Sequence, residues 1–166
     1  MKNLILAFLL FTTNSLIFGQ DLHQDFLRQI DTVENNLEYL LDGNEYIVYA
    51  TSVKILYIIN FKKSYYELIF EDKGNGFKLK KISILKDKIL KDLFDKRNYE
   101  KGYVDINSNF YKAGIDSVNG LPSYFSYRLK TQEKYCEYLL SVIIDPVPFN
   151  KKIFDYISLR YLKLDK

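Results

Sequence analysis

The sequence predicts an α+β fold, a single domain in which an antiparallel sheet of about five strands is packed by three helices. The expected order is αβββα, a long loop, then ββα. Three observations point there. Apolar residues recur at three- and four-residue steps near both ends of the chain, alternate through its middle, and are separated by turn signals.

The N-terminal segment is read apart from the fold. Lys2 supplies a positive charge, Leu4 to Phe11 is unbroken and apolar, and Gly19 offers a small residue for cleavage. A secretory signal over residues 1–19 is therefore expected, with residues 20–166 as one domain. The apolar run is too short to span roughly 30 Å of hydrocarbon. Gln20 stands where a lipoprotein would carry its acylated cysteine, so no lipid anchor is expected. The expected location is a periplasm or the extracellular space, without stable membrane insertion after the signal is removed.

From Leu22 the residues Phe26, Ile30, Val33, Leu37 and Leu40 mark one helical stripe that ends before Gly43. Asp25, Glu34 and Glu38 are assigned to the opposite face. Tyr46 to Phe61 is rich in β-branched and aromatic residues and reads as one bent strand or two short ones. Tyr65 to Asp72 is the next strand, and Lys73 to Gly76 the turn, with Asn75-Gly76 suited to a tight hairpin. In the strand that follows, Phe77 and Leu79 fall on one face but Ile82 and Ile84 on the other. A bulge near Lys80 would reconcile them.

Helical spacing returns at Leu85, Ile89, Leu90, Leu93 and Phe94. Asn98 to Pro122 is long and irregular, and Tyr103 to Ile106 is a short strand candidate within it. Strands then run from Ser123 to Thr131 and from Tyr135 to Ile144. The last helix spans about Phe149 to Leu164, with Ile153, Ile157 and Tyr161 on its stripe. In the hairpin, a two- or four-residue turn sets Leu129 opposite Cys136, Tyr127 opposite Tyr138 and Phe125 opposite Leu140. That register places Arg128 opposite Glu137 on the wetter face. Cys136, the sole cysteine, becomes a small buried hydrophobe with no disulfide partner in the chain.

Composition narrows function by exclusion. Removing the leader lowers the formal net charge from +3 by one, and the charges are spread evenly. A phosphate-binding surface is not expected, so nucleic acid is set aside as a partner. The fifteen tyrosines accompany a wider bias toward Lys, Ile, Asn and Phe, and the chain has no Trp. They are read as ordinary core and interface residues.

Candidate chemistry is sparse. His23 is the sole histidine and is read as an exposed residue of the first helix, with no companions at metal-ligand spacing. No metal or other cofactor is expected. Glu71 and Asp72, with Lys73, resemble a carboxylate-and-lysine arrangement at a strand end, and Glu100, Asp105 and Asp116 lie in the long segment. A small exported hydrolase using Glu71, Asp72 and Asp105 is the alternative reading. The leading one is a non-catalytic binding module whose partner is another envelope or extracellular protein. Its expected contact residues are Tyr99, Tyr103, Phe110 and Tyr111, aromatics set among adaptable Gly, Asn and Ser.

Overall fold

The Gly- and Pro-free run from Tyr46 to Phe61 divides at Thr51, whose hydroxyl accepts the backbone N–H of Val53 and of Lys54 at 3.3 Å each. Strands β1 (Glu45–Thr51) and β2 (Lys54–Phe61) result. The computed structural model describes residues 22–105, 122–140 and 150–162. The expected leader, Phe110, Tyr111, Asp116, Phe149 and Leu164 lie outside them. The remaining elements are α1 (22–34), α2 (Glu38–Leu41), β3 (Ser64–Asp72), β4 (Phe77–Leu85), α3 (Leu90–Leu93), a 3-10 turn (Lys96–Asn98), β5 (Gly102–Asp105), β6 (Ser123–Arg128), β7 (Lys134–Leu140) and α4 (Lys151–Leu162).

The chain forms a single α+β domain, and among the described residues one mixed sheet holds seven strands in the order β4-β3-β2-β1-β6-β7-β5. All neighbours are antiparallel except β5, which runs parallel to β7. The expected five antiparallel strands are thus corrected to seven in a mixed sheet. The Thr51 turn adds one strand, and the Tyr103 segment pairs after a crossover and adds the other. The central strands are buried on both faces. Tyr46, Val48, Ala50, Tyr57, Leu68, Tyr124 and Leu139 face α1 and α2. Ile47, Leu56, Ile58, Ile69, Phe125, Tyr127, Cys136 and Tyr138 face α3 and α4.

Several local expectations change. The first helix stops at residue 34 because the following N–H groups tighten onto nearer carbonyls, Asn36 to Val33 at 3.0 Å and Leu37 to Glu34 at 2.8 Å. The chain resumes as α2 and ends before Gly43, whose φ is +68°. The helix expected from Leu85 shrinks to α3. Leu85 is instead the buried last residue of β4. In the β3–β4 turn the positive φ values belong to Gly74 and Gly76, not to Asn75. Asp72 closes that loop by accepting the N–H of Gly74 at 2.9 Å.

The bulge falls where the alternation requires it. Ile69 pairs with Lys81 and Phe70 with Leu79, so Lys80 is the extra residue. The β6–β7 hairpin keeps the expected faces but in a register shifted by two residues, with Phe125 opposite Tyr138 and Tyr127 opposite Cys136. Ser126, rather than Arg128, stands across from Glu137, and Arg128 is opposite Lys134. Leu129 donates to the Glu133 carbonyl at 2.8 Å and so closes the loop at residues 130–132, with Gln132 at a φ of +62°, in place of the expected two- or four-residue turn. A shift of two preserves sidedness, whereas a shift of one would exchange the faces. Cys136 is fully buried, and burial pushes its thiol up to about 12.

Candidate functional site

Two polar residues of α1 lie on its apolar stripe instead of opposite it. Glu34 is four residues beyond Ile30, and His23 is three before Phe26, the spacings that stack side chains on one helical face. Both reach the sheet, one at each end of the helix.

At the C-terminal end, Glu34 Oε1 lies 3.6 Å from Nη2 of Arg128, which is only 6 % exposed. The Tyr46 hydroxyl lies beside the same carboxylate. Burial pushes the Glu34 carboxyl above the usual glutamate range, and the neighbouring Arg128 and Tyr46 offset this only in part. The Tyr57 hydroxyl is buried close by, with no hydrogen-bond partner among the described residues. Above this floor opens a cleft of about 380 Å³ lined by Asp31, Glu34, Asn35, Glu38, Leu41 and Gln132.

At the N-terminal end, the His23 ring sits 4.6 Å from that of Tyr103 and 5.9 Å from that of Tyr124. His23 Nε2 approaches Glu137 Oε1 at 3.5 Å. The same oxygen accepts the Tyr124 hydroxyl at 2.5 Å and the Lys134 ammonium at 2.8 Å. Burial raises the Glu137 carboxyl, but Lys134, Tyr124 and His23 outweigh it and hold the group below its usual range. His23, expected to be exposed, is therefore a mostly covered residue wedged between two tyrosines. Its Nε2 has no hydrogen-bond partner among the described residues. The geometry anchors a helix and supports an aromatic ring at the β5 edge.

The expected contact residues divide. Tyr99 is 7 % exposed, stacks on Phe125 at 5.5 Å and donates its hydroxyl to the Leu93 carbonyl at 2.7 Å. It pins the chain after α3 to the core, away from any contact surface. Tyr103 is 47 % exposed on β5.

The carboxylates of the alternative reading are not brought together. Glu71 and Asp72 end β3, whereas Asp105 ends β5, five strand positions away in the sheet order. At about 4.8 Å per strand that is roughly 24 Å. Glu71 is ion-paired to Lys73 and Lys80, which hold its carboxyl down at about 2. Among the described residues no group of three or more His, Cys, Asp or Glu side chains could hold a metal ion.

Sequence reasoning missed Glu34, Arg128, Tyr124 and Glu137. The available signal was the four-residue step from Ile30 to Glu34, which puts Glu34 on the stripe, whereas the sequence reading assigned it to the opposite face. No family model, no curated protein and no solved structure matches the chain.

Two outcomes follow from the seam. Arg128→Met leaves the Glu34 carboxylate without its cation, and is expected to cost about 3 kcal/mol in urea unfolding at neutral pH. The loss should shrink in acid, where Glu34 is protonated. Glu137 has a lowered folded value, so its contribution is complete above the usual glutamate value of 4.5 and fades as pH falls below it. The stability gap between wild type and Glu137→Gln should therefore close on acidification, as measured by urea midpoints across that range.

Proposed function

We propose that the protein is an exported, non-catalytic binding module whose partner is another envelope or extracellular protein. The observation that carries this reading is Tyr103, a large aromatic held half in solvent at an edge strand and backed by the His23 ring at 4.6 Å. A ring fixed in this way loses little conformational freedom on docking, which is what makes tyrosine an effective contact residue. Phe110 and Tyr111, the other expected contact residues, lie outside the described residues.

Separation of Glu71 and Asp72 from Asp105 counts against the hydrolase reading that joins them. Export is supported by Lys2 and the apolar run from Leu4 to Phe11. Among the described residues no helix is long and apolar enough to cross a membrane.

Affinity capture from envelope extract and culture medium is expected to recover one stoichiometric partner. Tyr103→Ala should weaken that complex about 30-fold, the loss of a contact worth about 2 kcal/mol, while leaving the unfolding midpoint nearly unchanged. Undiminished affinity would remove Tyr103 from the interface. Mass analysis of the native protein is expected to place its first residue at Gln20 or Asp21, and an intact leader would refute export by cleavage.

A further inference from the structure

Strand β4 closes the sheet at the end opposite β5, and among the described strands it pairs with β3 alone. Among the described residues its outward backbone groups therefore form an open ladder. The bulge at Lys80 places Phe77, Leu79, Ile82 and Ile84 on one face, opposite Asp72, Phe70, Leu68 and Tyr66. This is the face that α1 and α2 cover over the central strands. At the edge, Leu79 is 48 %, Ile82 60 % and Ile84 61 % exposed. A surface strand that is merely solvated has no need for three such side chains in a row on one face.

The charge of the strand selects what fits there. From Lys73 to Lys86 the sequence has five lysines and no carboxylate. Glu71 answers Lys73 and Lys80, and Glu67 answers Lys81 at 3.7 Å. Among the described residues neither Lys78 nor Lys86 is ion-paired. A second copy of β4 is a poor occupant, because a strand holding lysine and no acid meets like charge in any register. The bulge interrupts self-pairing further.

We propose that the β4 edge receives an extended segment of a partner protein in which apolar and acidic residues alternate. The segment adds an eighth strand to the sheet. Its apolar residues lie beside Leu79, Ile82 and Ile84, and its carboxylates lie on the other face beside Lys78 and Lys81. This inference goes beyond the Tyr103 surface, since it concerns the opposite edge and stands if that surface proves inert.

The test uses the full mature chain and a synthetic peptide of β4's length that alternates glutamate with valine. Binding is read by fluorescence anisotropy and by amide hydrogen exchange. The peptide is expected to slow exchange along β4, to bind more weakly as salt is raised, and to lose about tenfold in affinity with Ile84→Asp. Ile84 is exposed, so the fold should survive that change. Tyr103→Ala should leave peptide binding unaltered, which separates failure at one edge from failure at the other. A lysine-valine peptide, and the glutamate peptide N-methylated at alternate amides, should both fail to bind. Equal binding by either control, or no change in β4 exchange with the glutamate peptide, would overturn the proposal. Capture of the protein by phosphatidylserine vesicles through Ile82 and Ile84, with the peptide inert, would also overturn it and assign the strip to a lipid surface.

Discussion

A guanidinium enclosed beneath a helix requires a carboxylate, and the pairing of Arg128 with Glu34 settles where α1 lies. Apolar burial is non-directional, so Phe26, Ile30 and Val33 require only that the helix rest on the sheet. The charge pair sets its position along the strands. A cation on β6 must meet the last turn of α1, and His23 then falls over Glu137 at the other end. The opposite face repeats the arrangement. Glu67 of β3 is almost fully buried and is met by Arg160 of α4, with Nη1 at 2.9 Å. Arg160 also reaches Asp87, which accepts the Tyr156 hydroxyl at 2.7 Å. Each helical layer is thus located by one buried charge and held by apolar area.

The two edges of the sheet follow from this centre. Strands β1, β2 and β6 carry apolar residues on both faces and fill the middle, where both helical layers lie. Strands β4 and β5 lie at the margins and keep exposed side chains, Ile82 and Ile84 on one and Tyr103 on the other. The margins differ in chemistry. The β4 edge is lysine-rich and bulged, and the β5 edge is short and aromatic. The contact surfaces proposed for the protein are these margins, because the buried charges Arg128, Glu34, Glu67 and Arg160 are engaged between the helices and the sheet.

Much of the fold was legible because alternation and helical spacing are local. The stripes of α1 and α4, the burial of Cys136 and the bulge at Lys80 all follow from side-chain periodicity. The bulge is the clearest instance: Phe77 and Leu79 cannot share a face with Ile82 and Ile84 unless a residue is inserted. Turn geometry was less legible. The β2–β3 hairpin turns on Lys62 and Lys63, with φ values of +50° and +66°. Neither residue signals a left-handed turn, since Gly and Asn are what usually occupy such positions. The extent of the helix near Leu85 was misread because short apolar runs suit strand and helix equally.

The candidate site was legible in composition but not in place. Tyr99 and Tyr103 lie four residues apart in one aromatic segment, yet one stacks inside the core and the other stands at the surface. Sequence by itself determined the class of fold, the sidedness of the strands and the inert thiol, because each depends on neighbours a few residues away. Tertiary structure decided the seven-strand order, the covering of Ser126 and Arg128, the burial of His23 and the separation of Asp105 from Glu71. These depend on which distant segments meet, and a short-range pattern of apolar and polar residues carries no information about that.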